Sequence, residues 1–332
     1  MNREYLQLAH TFNPEKHCIA GWHLSEKLDG MRAYWDGGIS RGKLCSEVPW
    51  ANTAKDYRRV TPPFATGLWS RYGKPIAAPD YWLDELPENI PLDGELYMGR
   101  GQFQSLISCV KRLDAGPEWD DVQYKVFDIP SDYYMFSSGK INNPNCKLEF
   151  EDIFIERPVV NPFKFHQLRD ALANRRVEFG DHWSLLEHVK LSFSTEDALE
   201  QMYHHLNCIT NNGGEGVVLR NPNSVWVPKR THDLLKVKKL HDAEGLVTGY
   251  TWGKGKLEGL MGSMTISWGD KSFELSGFTD AERLLTDNYG EPGSLVAGDV
   301  SNNMFPRGSI VTFKYRELTR DGIPKEARYF RY

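Results

Sequence analysis

The chain changes its periodicity once, just past Leu235-Lys236-Val237-Lys238-Lys239-Leu240. Beyond that point come five short strand-like runs, at 245–251, 263–268, 272–275, 309–315 and 328–332, and one helical stretch, 279–287. Short strands separated by turn formers predict a small barrel. Before that point strands and helices mix. Residues 22–28 and 31–35 alternate loosely around Asp29-Gly30, which predicts two strands joined by a tight turn. Strands are expected at 91–97, 122–129 and 216–220, and helices at 102–113, 165–176 and 194–209. Ser194, with Glu196 and Asp197 behind it, reads as a helix N-terminus. Residues 38–68 and 131–165 are rich in turn formers and read as insertions. With 332 residues the chain exceeds what one core usually holds. The expectation is an α+β protein with domains at 1–240 and 241–332.

Composition narrows the function classes. Charged residues make up 26% and hydrophobic residues 40%, as in a globular chain. No run approaches eighteen apolar residues, so no membrane helix is expected. The first residues hold no apolar leader segment, which predicts a cytoplasmic protein, of bacterial or phage type. Five cysteines without a C-x-x-C pair suggest free thiols rather than a zinc site or disulfide framework. The net charge of −5 argues against indiscriminate polyanion binding, although residues 307–332 carry seven bases against three acids.

The chemistry centres on Glu26-Lys27-Leu28-Asp29-Gly30-Met31-Arg32. A lysine closing a strand can be held rigidly in a cleft, but it is a nucleophile only when neutral. Neighbouring cations and burial both favour that form. Taken alone, the segment equally suits a solvated hairpin. Four more segments follow in order: Leu92-Asp93-Gly94-Glu95-Leu96-Tyr97, Val126-Phe127-Asp128-Ile129-Pro130, Gly214-Glu215-Gly216-Val217-Val218-Leu219-Arg220 and Leu235-Lys236-Val237-Lys238. Strand carboxylates can hold a ribose hydroxyl or Mg2+, an aromatic ring can stack on a base, and lysines two apart on a strand share a face. Gly253-Lys254-Gly255-Lys256 is not a phosphate-binding P-loop, His204-His205 lacks metalloprotease spacing, and no G-x-S-x-G elbow occurs.

In order and content the five segments resemble motifs I, III, IIIa, IV and V of the covalent nucleotidyltransferases, specifically the ATP-dependent DNA ligases. Further likeness to the minimal bacterial ligase E type lies in residues 25–37, in Met98-Gly99-Arg100-Gly101-Gln102-Phe103, and in Tyr315-Arg316-Glu317-Leu318-Thr319. The resemblance implies an adenylation (nucleotidyltransferase) domain of antiparallel sheets flanked by helices, followed by an OB-fold barrel. It implies that Lys27 takes AMP from ATP, that Asp29 assists sealing, and that Glu95 holds the ribose. Phe127 would stack on adenine and Ser25 read its edge, while Lys236 and Lys238 bind the α-phosphate. Glu215, with Glu95, would hold Mg2+, for which Mn2+ can substitute. Arg32 would touch both nucleotide and nick, and Arg71, Lys254, Lys256 and Arg316 would touch DNA.

Two S-R-x-G-like sites compete for the nick-binding arginine, at Arg41 and Arg71; the longer match around Ser70-Arg71-Tyr72-Gly73 favours Arg71. Arg41, Lys43, Lys55, Arg58 and Arg59 in the first insertion suit either DNA contact or a solvated loop. The family's last motif, R-x-D-K, has no counterpart, and Arg331 is a candidate to replace it. The expected partner is nicked duplex DNA, bound by a monomer with no membrane or protein partner. An RNA ligase or mRNA-capping guanylyltransferase would share the motif order, and a catalytically inactive DNA-binding relative is the alternative of another class.

Overall fold

A computed structural model describes residues 6–52, 64–131, 163–173, 178–287, 300–319 and 321–330. Lys55, Arg58, Arg59 and Arg331, and nearly all of the second insertion, lie outside the described residues. The chain divides into two compact units, Met1–Val237 and Lys238–Tyr332. Among the described residues no helix is long and apolar enough to cross a membrane.

The first unit holds two five-stranded sheets. One has the order β1 (Leu8–Thr11), β10 (Arg230–Lys238), β9 (Gly216–Arg220), β2 (His23–Lys27), β8 (Val189–Lys190). The other runs β4 (Leu68–Ser70), β3 (Met31–Trp35), β5 (Leu92–Tyr97), β6 (Gln123–Asp128), β7 (Trp183–Leu185). Helix α1 (Asp80–Leu83) and helix α2 (Phe103–Val110) bury Trp82, Leu83, Leu106 and Val110 against the second sheet. Of the helix expected at 165–176, the described part is a 3-10 turn, Phe165–Gln167, followed by α3 (Leu168–Ala173). Helix α4 (Thr195–Asn211) is capped by the Ser194 hydroxyl, which accepts from the Asp197 amide at 3.4 Å. Its Ala198, Met202 and Leu206 recur every four residues and so fall on one face. That face packs on Leu24, Val217, Leu219 and Leu235 of the first sheet. The antiparallel expectation holds for most pairings, but β1–β10 and β6–β7 are parallel.

One expectation for this unit is corrected. Strands β2 and β3 are not a hairpin. β2 pairs with β9 and β8, β3 pairs with β5 and β4, and Leu28-Asp29-Gly30 carries the chain from one sheet to the other. The described part of 38–68, expected as an insertion, packs as a small element of its own. Val48, Trp50, Ala51 and Ala65 are buried with Leu6, Tyr34, Trp69 and Trp226 in a core of their own. The apolar residues there are too irregularly spaced to show a helix or strand, yet they cover a sheet face that would otherwise be bare.

In the second unit the strand order is β13 (Lys271–Leu275), β12 (Met261–Trp268), β11 (His241–Trp252), β16 (Ile310–Tyr315), β19 (Arg328–Tyr329). A parallel bridge between Ser276 and Arg328 joins the two edge strands, and the Tyr329 amide donates to the Ser276 carbonyl at 2.7 Å. Edge closure of this kind makes a barrel. Met264, Ile266, Leu275 and Phe313 fill it. Short ladders join β14 (Thr286–Asp287) to β15 (Val300–Ser301) and β17 (Glu317–Leu318) to β18 (Pro324–Lys325). The helix expected at 279–287 is only a 3-10 turn, Ala281–Arg283. Buried Arg283 breaks the pattern by turning inward, where it donates to the carbonyls of Met261, Gly262 and Phe278.

Candidate functional site

A cavity of about 500 Å³ opens in the first unit. Ser25, Lys27, Arg32, Arg71, Glu95, Phe127 and Lys236 all line it. Their meeting follows from the sheet switch. Leaving the first sheet at Lys27 and entering the second at Met31 carries the chain between the two sheets, with the cavity on its flanks.

Lys27 ends β2, where its Nζ donates to Glu215 Oε2, one residue before β9. The register places Lys27 opposite Gly216, so neighbouring ladder positions bring the two charges together. Glu95 on β5 faces the same space. Burial pushes its carboxyl up to about 7; Arg32 and Lys27 pull it down, and Glu215 and Asp93 push it further up. A carboxylate so placed favours a bound cation or a hydroxyl donor.

Arg32 is held on three sides. Its Nε and Nη2 fork Asp93 at 2.5 and 2.6 Å, and Nη2 also reaches the Gln7 carbonyl at 3.2 Å. Its guanidinium lies 4.5 Å from the centre of the Phe127 ring. Burial opposes the Arg32 charge, but Asp93 more than restores it and holds it above the ordinary arginine value. Asp93 also accepts from Trp226 Nε1 at 2.9 Å. Buried Arg220, which also lines the cavity, binds Asp128 Oδ2 and Gln7 Oε1, each at 2.5 Å. Asp93, Asp128 and Arg220 fall inside the motif segments, where nothing in the sequence sets them apart. Gln7 and Trp226 lie outside every motif, so no signal marked them.

Arg71 lines the cavity with its guanidinium 4.7 Å from the Tyr72 ring centre. Arg41 instead binds Asp80 and Asp84, each at 2.6 Å. Asp29 is exposed at the crossing between the sheets. Lys238 ends β10 two residues past Lys236, on the same side of the strand. In the second unit Lys254 and Lys256 are exposed around the 3-10 turn Gly255–Leu257, and Arg316 binds Glu326 at 2.6 Å.

Among the described residues no group of three or more histidine, cysteine or acidic side chains forms a metal cage. The donors here are Glu95 and Glu215, both hard oxygen ligands. Two carboxylates, with water and phosphate oxygens completing the shell, suit Mg2+, which seldom takes an all-protein cage.

A family model described as the DNA ligase OB-like domain matches residues 252–332. A DNA ligase of Haemophilus influenzae is 28% identical over 327 residues, covering 98% of this chain and 91% of its own. Among solved structures, one from a study of DNA binding by Lig E DNA ligases superposes with a TM-score of 0.65 at 26% identity, covering 98% of both chains. A structure called Pmar-Lig shares the fold, with a TM-score of 0.62 at 19% identity; this chain spans 67% of it.

Proposed function

We infer that this chain, an ATP-dependent DNA ligase of the minimal Lig E type, joins a 3′-hydroxyl to a 5′-phosphate at nicks in duplex DNA by way of an AMP-lysine. The observation that carries the reading is Lys27 at the cavity wall, bound to Glu215 and facing Glu95 and Phe127.

A 5′-phosphate monoester carries no good leaving group, so the nick must be activated first. Lys27 Nζ attacks the α-phosphorus of ATP, and the bond to pyrophosphate breaks. The amine must shed a proton to do so, and the Glu215 carboxylate touching Nζ is in reach of it. Lys236, with Lys238 beyond it, supplies positive charge for the α-phosphate oxygens, and Glu95 accepts from the ribose. Mg2+ held at Glu95 and Glu215 would offset charge growing on the phosphorus. Next, a 5′-phosphate oxygen of the DNA attacks the AMP phosphorus and the phosphorus–nitrogen bond breaks, leaving an adenylated end. Finally the 3′-hydroxyl attacks the 5′-phosphorus and AMP departs, with Asp29 assisting. Arg32 and Arg71, which line the cavity, supply positive charge to the nick phosphates. The enzyme acts as a monomer, and contact with duplex DNA is to the backbone, without base readout.

The test is incubation with α-labelled ATP and Mg2+. Wild type acquires a covalent label and Lys27→Ala acquires none. A fully labelled Lys27→Ala would overturn the mechanism. Parallel reactions with GTP, and with nicked RNA, separate this reading from capping guanylyltransferases and RNA ligases.

A further inference from the structure

We propose that His188 determines the choice of base, accepting a hydrogen bond from the six-amino group of adenine and refusing the six-oxo group of guanine. This rests on the adenylation reading above.

His188 lines the same cavity as Ser25 and Phe127. Two hydrogen-bonded connections hold its short segment between the strands that carry them. On one side the Leu186 amide donates to the Val126 carbonyl at 2.7 Å, one residue before Phe127. On the other, β8 pairs antiparallel with β2, Val189 opposite Leu24, so His188 falls across from Ser25. The residue thus stands between the ring expected to stack on the base and the strand that ends in Lys27.

Its hydrogen-bond polarity is fixed by one neighbour. Nδ1 lies 2.9 Å from the Leu186 carbonyl. A carbonyl only accepts, so Nδ1 carries the hydrogen, and in the neutral ring Nε2 is a bare acceptor. Among the described residues nothing hydrogen-bonds Nε2. Phe165 meets the imidazole edge-on with centroids 5.0 Å apart, which braces the ring. Burial pushes the ring down to about 4, and His23, Arg220 and Arg169 reinforce this against the Leu186 bond, so the ring is neutral at pH 7. An acceptor fixed in this way matches adenine, which presents an N6 donor. It opposes guanine, which presents an O6 acceptor.

The experiment uses the full chain and compares kcat/KM for lysine adenylation with ATP, GTP and purine riboside triphosphate, which lacks any six-substituent. Wild type should favour ATP over the purine analogue by about 10- to 100-fold, the worth of one satisfied hydrogen bond against an acceptor left bare. His188→Ala should bring that ratio close to one, mainly through KM for ATP. His188→Gln, whose amide oxygen can accept, should restore part of it. Because each ratio is taken within one protein, a loss of folded material cancels. The same ratio in His188→Ala as in wild type, or no preference in wild type, overturns the assignment. Failure of ATP to label wild type overturns the adenylation reading instead.

Discussion

Lys27 and His188, which line the same cavity, are held by different means. Lys27 is held by a direct carboxylate partner. His188 is held by a carbonyl and by burial. The second arrangement has a consequence for stability. The folded ring titrates at about 4, below its ordinary value of 6.5. Between those values this ring binds more protons in the unfolded chain, so its own contribution to stability rises with pH across that window and is flat above it. The groups acting on the ring are the Leu186 carbonyl, His23, Arg220 and Arg169. Full passage from below 4 to above 6.5 is worth about 3 kcal/mol. Thermal unfolding at pH 7.5 and pH 5.0 should show a larger drop for wild type than for His188→Gln. Equal drops would mean the ring is already charged, or solvated, in the folded protein.

Between elements, the crossing from one sheet to the other decides whether a site exists at all. Asp29-Gly30 looks like a hairpin turn, but Gly30 is needed for closeness, since a Cβ there would sit 2.2 Å from the Leu96 carbonyl oxygen and 2.7 Å from Glu95 Cγ. Gly30→Ala must therefore push β5, and with it Glu95, away from Lys27. A shift of about 1 Å at a reacting centre can cost about 100-fold, and labelling by ATP should fall by that order, together with the melting temperature. Labelling at the wild-type rate below the variant's melting point would show that the crossing has slack. Here the limits of the sequence also become clear. Strands β2, β3, β5, β6 and β9 and the Ser194 cap were legible because alternation, four-residue spacing and a capping residue are local signals. The partners of β2 and β3 were not, because the residues that pair with β2 lie near positions 190 and 220, and adjacency in the chain suggested the wrong ladder. Trp50 and Val48 were hidden for a related reason. Their burial depends on the face of β3 that carries Tyr34 and on Trp226, which no window around 38–68 contains. His188 carries no motif, and its role rests on contacts made by Leu186 and Val189 on either side.

Across the whole molecule, a chain of net charge −5 cannot hold DNA through its overall field, so affinity must come from locally presented cations. The second unit shows how such a presentation is built. The turn Gly255–Leu257 is tied at its base, where the Gly253 amide donates to the Leu260 carbonyl at 2.8 Å. Arg283 clasps the next two carbonyls, those of Met261 and Gly262, at 2.6 Å each. Lys254 and Lys256 therefore stand exposed on a braced loop. Arg316 differs, because Glu326 already occupies its guanidinium. Each phosphate neutralised on duplex DNA contributes about 0.9 to the slope of log affinity against log salt. Replacing Lys254 and Lys256 together with alanine should flatten that slope by about two for a nicked duplex. Arg316→Ala should flatten it by less than one, since phosphate must compete there with a carboxylate. Binding isotherms across a salt series measure both. An unchanged slope in the double variant would remove the braced loop from the DNA-binding surface, and a larger effect from Arg316 would mean that its pairing with Glu326 gives way when DNA binds.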